Sequence, residues 1–335
     1  MLDGKHILIT GGTGTLGHAL VKLLAMEHKP ARVIVLSRDE FKQAEMRREF
    51  PDVRYFIGDV RDLDRLMMAF NQVDMVVHTA AMKRIETCEF DPFEALLTNV
   101  GGTTNVVKAA MRCSVKRVVN ISTDKAIAPA NMYGHTKGLA EQLVTQANIY
   151  GKTDTRFANV RLGNLISSRG SVIQVWREAA QNNGVVSITG PDVRRFWVTV
   201  EDAAQLILHA LEDMRGGEVY VPQCGVMTML EIANIVAPNT RCVVIGPRPG
   251  DRSEDELMTA DECGRAIFVR TGAESSFTIE DGHYIIPPLS VKHDDWTERG
   301  VAMRQGFTYR TETWTRRATR EEILGNALHE NQAPQ

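Results

Sequence analysis

Cysteine is scarce in this 335-residue chain, and what there is does not pair. Cys88, Cys113, Cys224, Cys242 and Cys263 are odd in number and include no C-x-x-C spacing, which argues against a disulfide framework and a structural zinc site. Long hydrophobic runs are missing as well. The first apolar run, His6-Ile7-Leu8-Ile9-Thr10, is far too short for a signal-peptide core or a spanning helix. No charge of one sign accumulates: 39 Lys and Arg stand against 42 Asp and Glu, for a formal net charge of −3. A nucleic-acid coat or a membrane-surface protein needs a clustered positive excess. There is no internal repeat and no low-complexity tract. What remains, 43% apolar and 24% charged residues, is the balance of a globular chain with a sizeable core. The expectation is a soluble cytoplasmic protein with no nucleic-acid or membrane partner.

Short apolar, β-branched runs recur through the first half: Ile7-Leu8-Ile9, Val33-Ile34-Val35-Leu36, Tyr55-Phe56-Ile57, Met75-Val76-Val77-His78 and Val118-Val119-Asn120-Ile121. Near-continuous apolar strands are what a parallel sheet covered on both faces requires. Helix-period segments lie between them at 16–28, 39–50, 62–70, 92–111 and 131–150. The alternation predicts an α/β fold, a Rossmann-type doubly wound parallel sheet over residues 1–160. After Val160, Gly170, Gly184, Gly190-Pro191, Gly216-Gly217 and Gly246-Pro247 punctuate shorter elements. That texture predicts a smaller C-terminal substrate-binding domain over 161–330, interleaved with late elements of the sheet, and a frayed tail at 331–335.

The first strand runs into Thr10-Gly11-Gly12-Thr13-Gly14-Thr15-Leu16-Gly17, a G-x-x-G-x-x-G pattern that opens the first helix. One glycine is needed for unusual turn dihedrals, one where a pyrophosphate approaches the backbone, and one where helix packs on strand. The helix N-terminus supplies amide donors to the phosphates. An ordinary tight turn can carry the same glycines. The strand before and the helix after favour a dinucleotide site built from Gly11, Thr13, Gly14, Thr15, Leu16 and Gly17. The second strand ends in Ser37-Arg38-Asp39. A hydroxyl followed by a guanidinium suits the 2′-phosphate of NADP, whereas an acidic residue there would grip the ribose hydroxyls of NAD. Ser37 and Arg38 favour NADP, and Asp39 keeps NAD open. Asp59, after the third strand, is either an acceptor for the adenine amine or a cap for the helix starting near Asp62.

The fifth strand ends in Ser122-Thr123-Asp124-Lys125, and Tyr133-Gly134-His135-Thr136-Lys137 follows. Tyr133 and Lys137, four apart, share one helix face. The lysine can hold the nicotinamide ribose and lower the tyrosine pKa, so that the phenolate accepts a proton as hydride leaves a carbinol carbon. Alone the Y-x-x-x-K pair is weak; after a dinucleotide loop it is strong. Arg195 and Arg248 are candidates for a diphosphate, since a guanidinium fork matches phosphate oxygens. For Arg195 the competing reading is a surface salt bridge.

With these residues in view, the chain resembles an extended short-chain dehydrogenase/reductase. Within that superfamily it is similar to the soluble inverting UDP-N-acetylglucosamine 4,6-dehydratases. The matching stretches include Ser37-Arg38-Asp39-Glu40, Gly58-Asp59-Val60-Arg61-Asp62, Ser122-Thr123-Asp124-Lys125-Ala126, Asn131-Met132-Tyr133-Gly134, Gly163-Asn164, Ser168-Arg169-Gly170-Ser171-Val172, Arg195-Phe196-Trp197 and Arg248-Pro249-Gly250. They cover about three quarters of the chain, from about residue 5 to 255. The Asp-Lys pair separates this group from sugar 4-epimerases and from non-inverting dehydratases.

The resemblance implies that Tyr133 takes the 4-hydroxyl proton, Lys125 acts as C5 base, Asp124 as acid to the 6-hydroxyl, and Thr123 as a sugar contact. It implies a neutral Lys125 and a protonated Asp124. It adds Val60, Ala80, Ala81, Lys83 and Asn99 to the cofactor site, and Lys125, Asn164, Ser171, Val172 and Asp251 to the nucleotide-sugar site. It implies a tightly bound NADP recycled each turnover, no metal, a UDP-N-acetylglucosamine substrate and a closed homo-oligomer, often a hexamer. The product would feed pseudaminic-acid-type or surface polysaccharide sugars. The departures are Gln174 where a proline is usual, Asp251-Arg252-Ser253-Glu254-Asp255 where Glu-Lys-Leu-His-Glu is usual, and a longer stretch at 263–281; they leave the exact sugar open. The alternatives are a 4-epimerase or non-inverting dehydratase of another nucleotide sugar, or a non-catalytic NADP sensor. Sensors of this kind commonly lose the Tyr or the Lys, and both are present.

Overall fold

A computed structural model of the chain describes residues 1–150, 154–166, 168, 170–182, 184–248, 250–270, 282–289 and 293–324. Arg169, Pro249, the far part of the 263–281 stretch and the 331–335 tail lie outside the described residues. The first half alternates as its apolar runs require. Strands β1 (His6–Thr10), β2 (Arg32–Ser37), β3 (Arg54–Ile57), β4 (Met75–His78), β5 (Arg117–Thr123) and β6 (Arg156–Leu162) are separated by α1 (Thr15–Glu27), α2 (Glu40–Glu49), α3 (Leu63–Ala69), α4 (Ile85–Phe90), α5 (Pro92–Ala95), α6 (Gly102–Arg112) and α7 (Met132–Gln146).

In the second half come β7 (Asn164–Leu165), α8 (Val172–Gln181), β8 (Val186–Ile188), β9 (Arg194–Val198), α9 (Val200–Asp213), β10 (Val219–Pro222), β11 (Gly225–Thr228), α10 (Met229–Val236), β12 (Cys242–Val244), β13 (Glu256–Met258), β14 (Ile267–Val269), β15 (His283–Ile286), β16 (Val301–Ala302) and β17 (Tyr309–Arg310).

Seven strands form a parallel sheet in the order β3-β2-β1-β4-β5-β6-β10. Antiparallel β15, β14 and β16 extend it to ten. This is the doubly wound α/β fold that the sequence predicts. Strand order reverses between β1 and β4, and a doubly wound sheet binds its ligand in the crevice at the carboxyl ends of the strands there. Both faces are covered. Ile7, Ile9, Val35, Val77 and Val119 pack into one core with helices α1 and α9. Leu8, Ile34, Val76 and Val118 pack into the other with α3 and α6. Burial on both faces is why these runs are apolar at successive positions, each such side chain contributing roughly 1.5–3 kcal/mol.

From β6 the chain leaves the sheet, returns through α9 and β10, and leaves again. The excursions build a second lobe from the β11-β9-β7 sheet and the β12–β8 pair, around Ile166, Ile173, Trp176, Trp197, Met227 and Ile232. One helix differs from expectation. The 92–111 segment is not continuous: a π-helical turn, Leu96–Gly101, separates α5 from α6. Gly101-Gly102 is a poor helical pair, and a Cβ at Gly102 would come 2.6 Å from Val60 Cγ2. The close approach therefore requires glycine where propensity would not choose it.

His78 closes β4 and ties the two halves of the crevice together. Its Nδ1 lies 2.7 Å from Thr10 Oγ1 and its Nε2 3.0 Å from Thr103 Oγ1. Burial, with the Lys137 charge adding to it, pushes the imidazole down to about 3. As pH falls from the ordinary histidine value of 6.5, the unfolded chain takes up a proton that the folded chain refuses, so stability drops. His78→Gln keeps a donor and an acceptor but does not titrate. In urea titrations it is expected to be less stable than the parent at neutral pH, with the gap narrowing as pH falls. A constant gap across that window would show that His78 is not the acid-labile group.

Candidate active site

The phosphate loop is shaped by contacts that only glycine permits. Gly11 has φ +68°, and a Cβ there would sit 2.8 Å from Ala80 Cα and N. A Cβ at Gly17 would overlap Gly12. Gly14 is the N-cap of α1 and brings no side chain to the first-turn amides, and no acidic residue stands in that turn. Glycine at the cap, an uncapped helix N-terminus and no competing carboxylate fit a pyrophosphate. Thr13, Thr15 and Leu16 complete this loop.

At the end of β2, Ser37 is buried and its Oγ accepts from Gln43 Nε2 at 2.9 Å. Arg38 is exposed, with Nη1 3.7 Å from Asp59 Oδ2. Asp39 caps α2: its carboxylate accepts from the Lys42 amide at 3.0 Å and pairs with Lys42 Nζ at 3.1 Å. That backbone amide, together with the Lys42 ammonium, holds its carboxyl below the ordinary value. The group that kept NAD open is thus committed to the helix. The alternative of Asp59 as a helix cap is corrected: Asp62 caps α3, accepting from the Arg65 amide at 2.9 Å, while Asp59 pairs with Arg61 at 2.7 Å. Val60 is buried. Ala80, Ala81 and Lys83 lie in the segment after β4. Asn99 holds that segment: its Oδ1 accepts from the Met82 amide at 2.8 Å, and its Nδ2 donates to Met82 O and Thr136 Oγ1, both at 3.0 Å. Asn99 is therefore a scaffold for the loop, not an open amide facing a ligand, which corrects the sequence expectation.

The cluster of candidate catalytic residues forms where β5 ends. The chain turns at once into a short 3₁₀ segment, Asp124–Ala126, and α7 lies directly on it. A Cβ at Gly134 would overlap the Lys125 carbonyl oxygen, and one at Gly138 would be 3.0 Å from the Ala126 carbonyl oxygen. Two glycines a turn apart let the helix press against the strand end and bring Tyr133 and Lys137 beside it. Asn131 caps α7 through the Gly134 amide at 2.8 Å and donates to Gly250 O at 2.9 Å, which ties the cluster to the second lobe.

Asp124 is fully buried and Lys125 Nζ is 2.9 Å from its Oδ2. Thr123 Oγ1 donates to Asp124 Oδ1 at 2.7 Å, and the Tyr133 hydroxyl is within hydrogen-bonding reach of Thr123. Lys125 Nζ also donates to Asn164 Oδ1 at 3.2 Å. Burial pushes the Asp124 carboxyl up, but the Lys125 ammonium and the donors around it bring it below the ordinary value. Burial pulls Lys125 down, but the carboxylates of Asp124 and Asp255 hold it above the ordinary lysine value. The pair therefore rests as an ion pair, not as the neutral base and protonated acid of the sequence reading. The 2.9 Å contact is the reason. The tyrosine differs too. Burial pushes Tyr133 up to about 12, opposed by Lys125 and by the Thr123 hydroxyl. Lys137, which burial pulls down to about 8, donates to Ile121 O at 2.5 Å.

A cavity of about 480 Å³ opens in front of this cluster, between the strand ends and the second lobe. Its walls include Lys125, Asn164, Ser171, Val172, Arg195, Arg248 and Asp251, so the structure brings together all seven residues expected at the sugar nucleotide. Gln174 Oε1, at the position of the usual proline, accepts from the Gly170 amide at 2.9 Å. Arg248 is half exposed, 3.0 Å from Asp251 and 2.6 Å from Glu86. Arg195 is neither a surface salt bridge nor an open fork. Its Nη2 donates to Arg252 O at 2.7 Å, its Nη1 to Arg194 O at 2.9 Å, and its Nε lies 3.4 Å from Asp255 Oδ2. The sequence reading missed Asp255 and the two packing glycines; the paired Gly134 and Gly138 flanking Lys137 were the signal available. Among the described residues, no group of three or more His, Cys, Asp or Glu could hold a metal ion, and no helix is long and apolar enough to cross a membrane.

Known proteins are similar to this chain over most of its length. The polysaccharide biosynthesis protein family matches residues 7–272. A UDP-N-acetylglucosamine 4,6-dehydratase (inverting) from Campylobacter jejuni is 36% identical over 98% of this chain and 99% of its own. A UDP-glucose 4-epimerase from Rickettsia canadensis is 34% identical over 79% of this chain and 81% of its own. The X-ray structure of Pen from Bacillus thuringiensis superposes with a TM-score of 0.84 at 35% identity, covering 98% of this chain and 99% of that one. With a doubly wound sheet, a glycine loop at its switch point and a Tyr-Lys pair beside the fifth strand, the chain belongs to the polysaccharide biosynthesis protein family and is a relative of the inverting UDP-N-acetylglucosamine 4,6-dehydratases.

Proposed function

We propose that the chain is a nicotinamide-dependent UDP-N-acetylglucosamine 4,6-dehydratase that inverts C5. One observation carries the reading: an Asp124–Lys125 ion pair, linked through Thr123 to Tyr133, presents its lysine to a cavity large enough for a sugar and its diphosphate. An epimerase needs only the tyrosine. A buried acid beside an amine is what an elimination asks for. The name of the Campylobacter relative supports the same choice.

When bound, the nicotinamide supplies the hydride chemistry, accepting from C4 and returning to C6. The residues of this chain do the rest. Tyr133 takes the 4-hydroxyl proton while its own phenol proton moves to the Thr123 hydroxyl. The ketone so formed acidifies C5–H, and Lys125 removes that proton after its own has crossed the short bond to the carboxylate. Asp124 gives a proton to the 6-hydroxyl as water leaves. Lys125 then reprotonates C5 from the opposite face. The Thr123 hydroxyl bridges Tyr133 and Asp124, a route by which the proton taken at O4 reaches the acid. The proton of the 4-hydroxyl and the 6-hydroxyl thereby depart as one water, and the protein ends as it began. Asn164 orients Lys125, Lys137 holds the ribose, and Arg248 with Asp251 is placed for the diphosphate. Ser171 and Val172, at the start of α8, line the sugar and base.

The cofactor we assign is NADP. Ser37 and exposed Arg38 flank the ribose position, and the carboxylate of Asp39 is held by α2. Arg38→Ala is expected to weaken NADP binding about tenfold to hundredfold, the value of one charge-assisted contact, and to leave NAD affinity nearly unchanged. Equal weakening of both, or release of NAD(H) alone from the purified protein, would reject the assignment.

Incubation with UDP-N-acetylglucosamine should give a product lighter by one water. An unchanged mass with a changed sugar would make the protein an epimerase. Lys125→Ala should slow water loss by on the order of 10²–10⁴, while reduced-nicotinamide absorbance still appears on mixing with substrate. Dehydration at the parental rate would remove Lys125 as the base.

A further inference from the structure

A second carboxylate sits beside the acid. Asp255 lies immediately before β13 and is 3% exposed. Reciprocal bonds with Thr311 fix it: its amide donates to Thr311 Oγ1 at 3.1 Å, and the Thr311 amide donates to its carbonyl at 3.0 Å. Its carboxyl is within hydrogen-bonding reach of that of Asp124. Two ionised carboxylates have only acceptors, so a proton delivered to either one would be held by both. Asp255 Oδ2 is also buried with no hydrogen-bond partner. Arg195 Nε lies 3.4 Å away, close enough to pair as an ion but not aligned to donate.

The charges facing the two carboxyls come from several elements. Lys125 lies in the turn after β5, Arg195 on β9 and Tyr133 on α7; Arg252 and Glu254 precede Asp255, and Glu256 follows it, paired with Arg310 at 3.0 Å. Four of these groups form the cluster itself: Asp124, Asp255, Lys125 and Arg195. With both carboxyls ionised, two negative charges balance the Lys125 and Arg195 cations. Lys125 is then an ammonium and cannot take a proton from C5. If its proton moves onto the carboxyl pair, Lys125 is neutral, one negative charge remains spread over the pair, and Arg195 stands opposite. The net charge of the cluster is the same in both states, which keeps the cost of switching low in a dry site.

We propose that Asp255 is the positioning residue of the eliminating acid, sharing one proton with Asp124 so that Asp124 stands as a carboxylic acid beside a neutral Lys125. This rests on the dehydratase reading. The proton leaves the Lys125 ammonium for the Asp124–Asp255 pair. Asp124 passes it to the 6-hydroxyl oxygen as the C6–O bond breaks and water departs. The electrons of the C5–H bond form the C5–C6 double bond, and the C5 proton goes to Lys125 until it is returned. The proton that Tyr133 took from O4 refills the pair through Thr123. Burial, with the Asp124 charge beside it, raises the Asp255 carboxyl to about 6. Arg195, tethered to Arg252 O, holds the 252–255 segment in place.

The test uses the whole protein with its nicotinamide bound. Asp255→Asn should leave single-turnover oxidation at C4, read as reduced-nicotinamide absorbance, at the parental rate. Elimination should slow by on the order of 10² with KM near the parental value. The pH at which elimination falls off on the alkaline side should move down, because Asp124 without its neighbour binds its proton less tightly. Asp255→Glu should restore most of the rate. Parental elimination and pH profile in Asp255→Asn would overturn the proposal. So would equal loss of oxidation and elimination with an unchanged profile, the mark of a merely structural residue. Infrared titration of the unsubstituted protein gives a readout that needs no turnover. A buried carboxyl C=O band should titrate near pH 6 and vanish in both Asp255→Asn and Asp124→Asn, and its absence would overturn the pair even in an active enzyme. If the band is found and no nucleotide sugar loses water, the pair stands and the dehydratase reading falls.

Discussion

Helix α7 lies against the backbone of the turn that ends β5 with no side chain between them, and Gly134 and Gly138 are what make that contact possible. Most of the site follows from it. The helix brings Tyr133 to the Thr123 hydroxyl and drives Lys137 toward the Ile121 carbonyl, while its cap, Asn131, reaches the Gly250 carbonyl of the second lobe. A β-carbon at Gly134 would displace the turn carrying Asp124 and Lys125, or lift the helix carrying Tyr133. In either case two halves of one reaction would separate.

The second constraint is electrostatic. Four ionisable groups, Asp124, Lys125, Asp255 and Arg195, are packed where water is largely excluded, and each is tolerable only because the others are present. Lys125 and Asp124 rest as an ion pair, which is not the arrangement the proposed elimination uses. The reactive state differs by the position of one proton over a 2.9 Å contact. In the proposed cycle the protons of O4, of C5 and of the departing water move among Tyr133, Thr123, Asp124 and Lys125, so the site needs no bulk acid or base.

Much of this was legible in the sequence, because the signals were local. Near-continuous apolar runs marked β1, β2, β4 and β5, and the glycines at 11, 14 and 17 marked the turn into α1. The Asp-Lys and Tyr-Lys pairs are likewise short-range patterns on a strand end and a helix face. What could not be read depends on contacts between distant residues. Asp255 meets Asp124 across 131 positions of chain, in a stretch whose residue types depart from the usual family pattern. Arg195 looks from sequence like a phosphate fork, but its donors are taken by Arg252 and Arg194 carbonyls. Asn99 looks like a ligand contact and instead holds Met82 and Thr136. The π-turn at Leu96–Gly101 and the approach of Gly102 to Val60 beside it are contacts that no helical periodicity records.

The central claim is that one site oxidises C4, eliminates water across C5 and C6, and inverts C5 using residues that return to their starting state. Isotopic tracing by NMR tests it most directly. Substrate deuterated at C4 and turned over in ordinary water should carry its label to the C6 methyl group. Unlabelled substrate turned over in heavy water should acquire deuterium at C5, with the configuration there inverted. A C4 label lost to solvent, or a C5 position that keeps its original hydrogen and configuration, would contradict the proposed roles of Tyr133, Asp124 and Lys125.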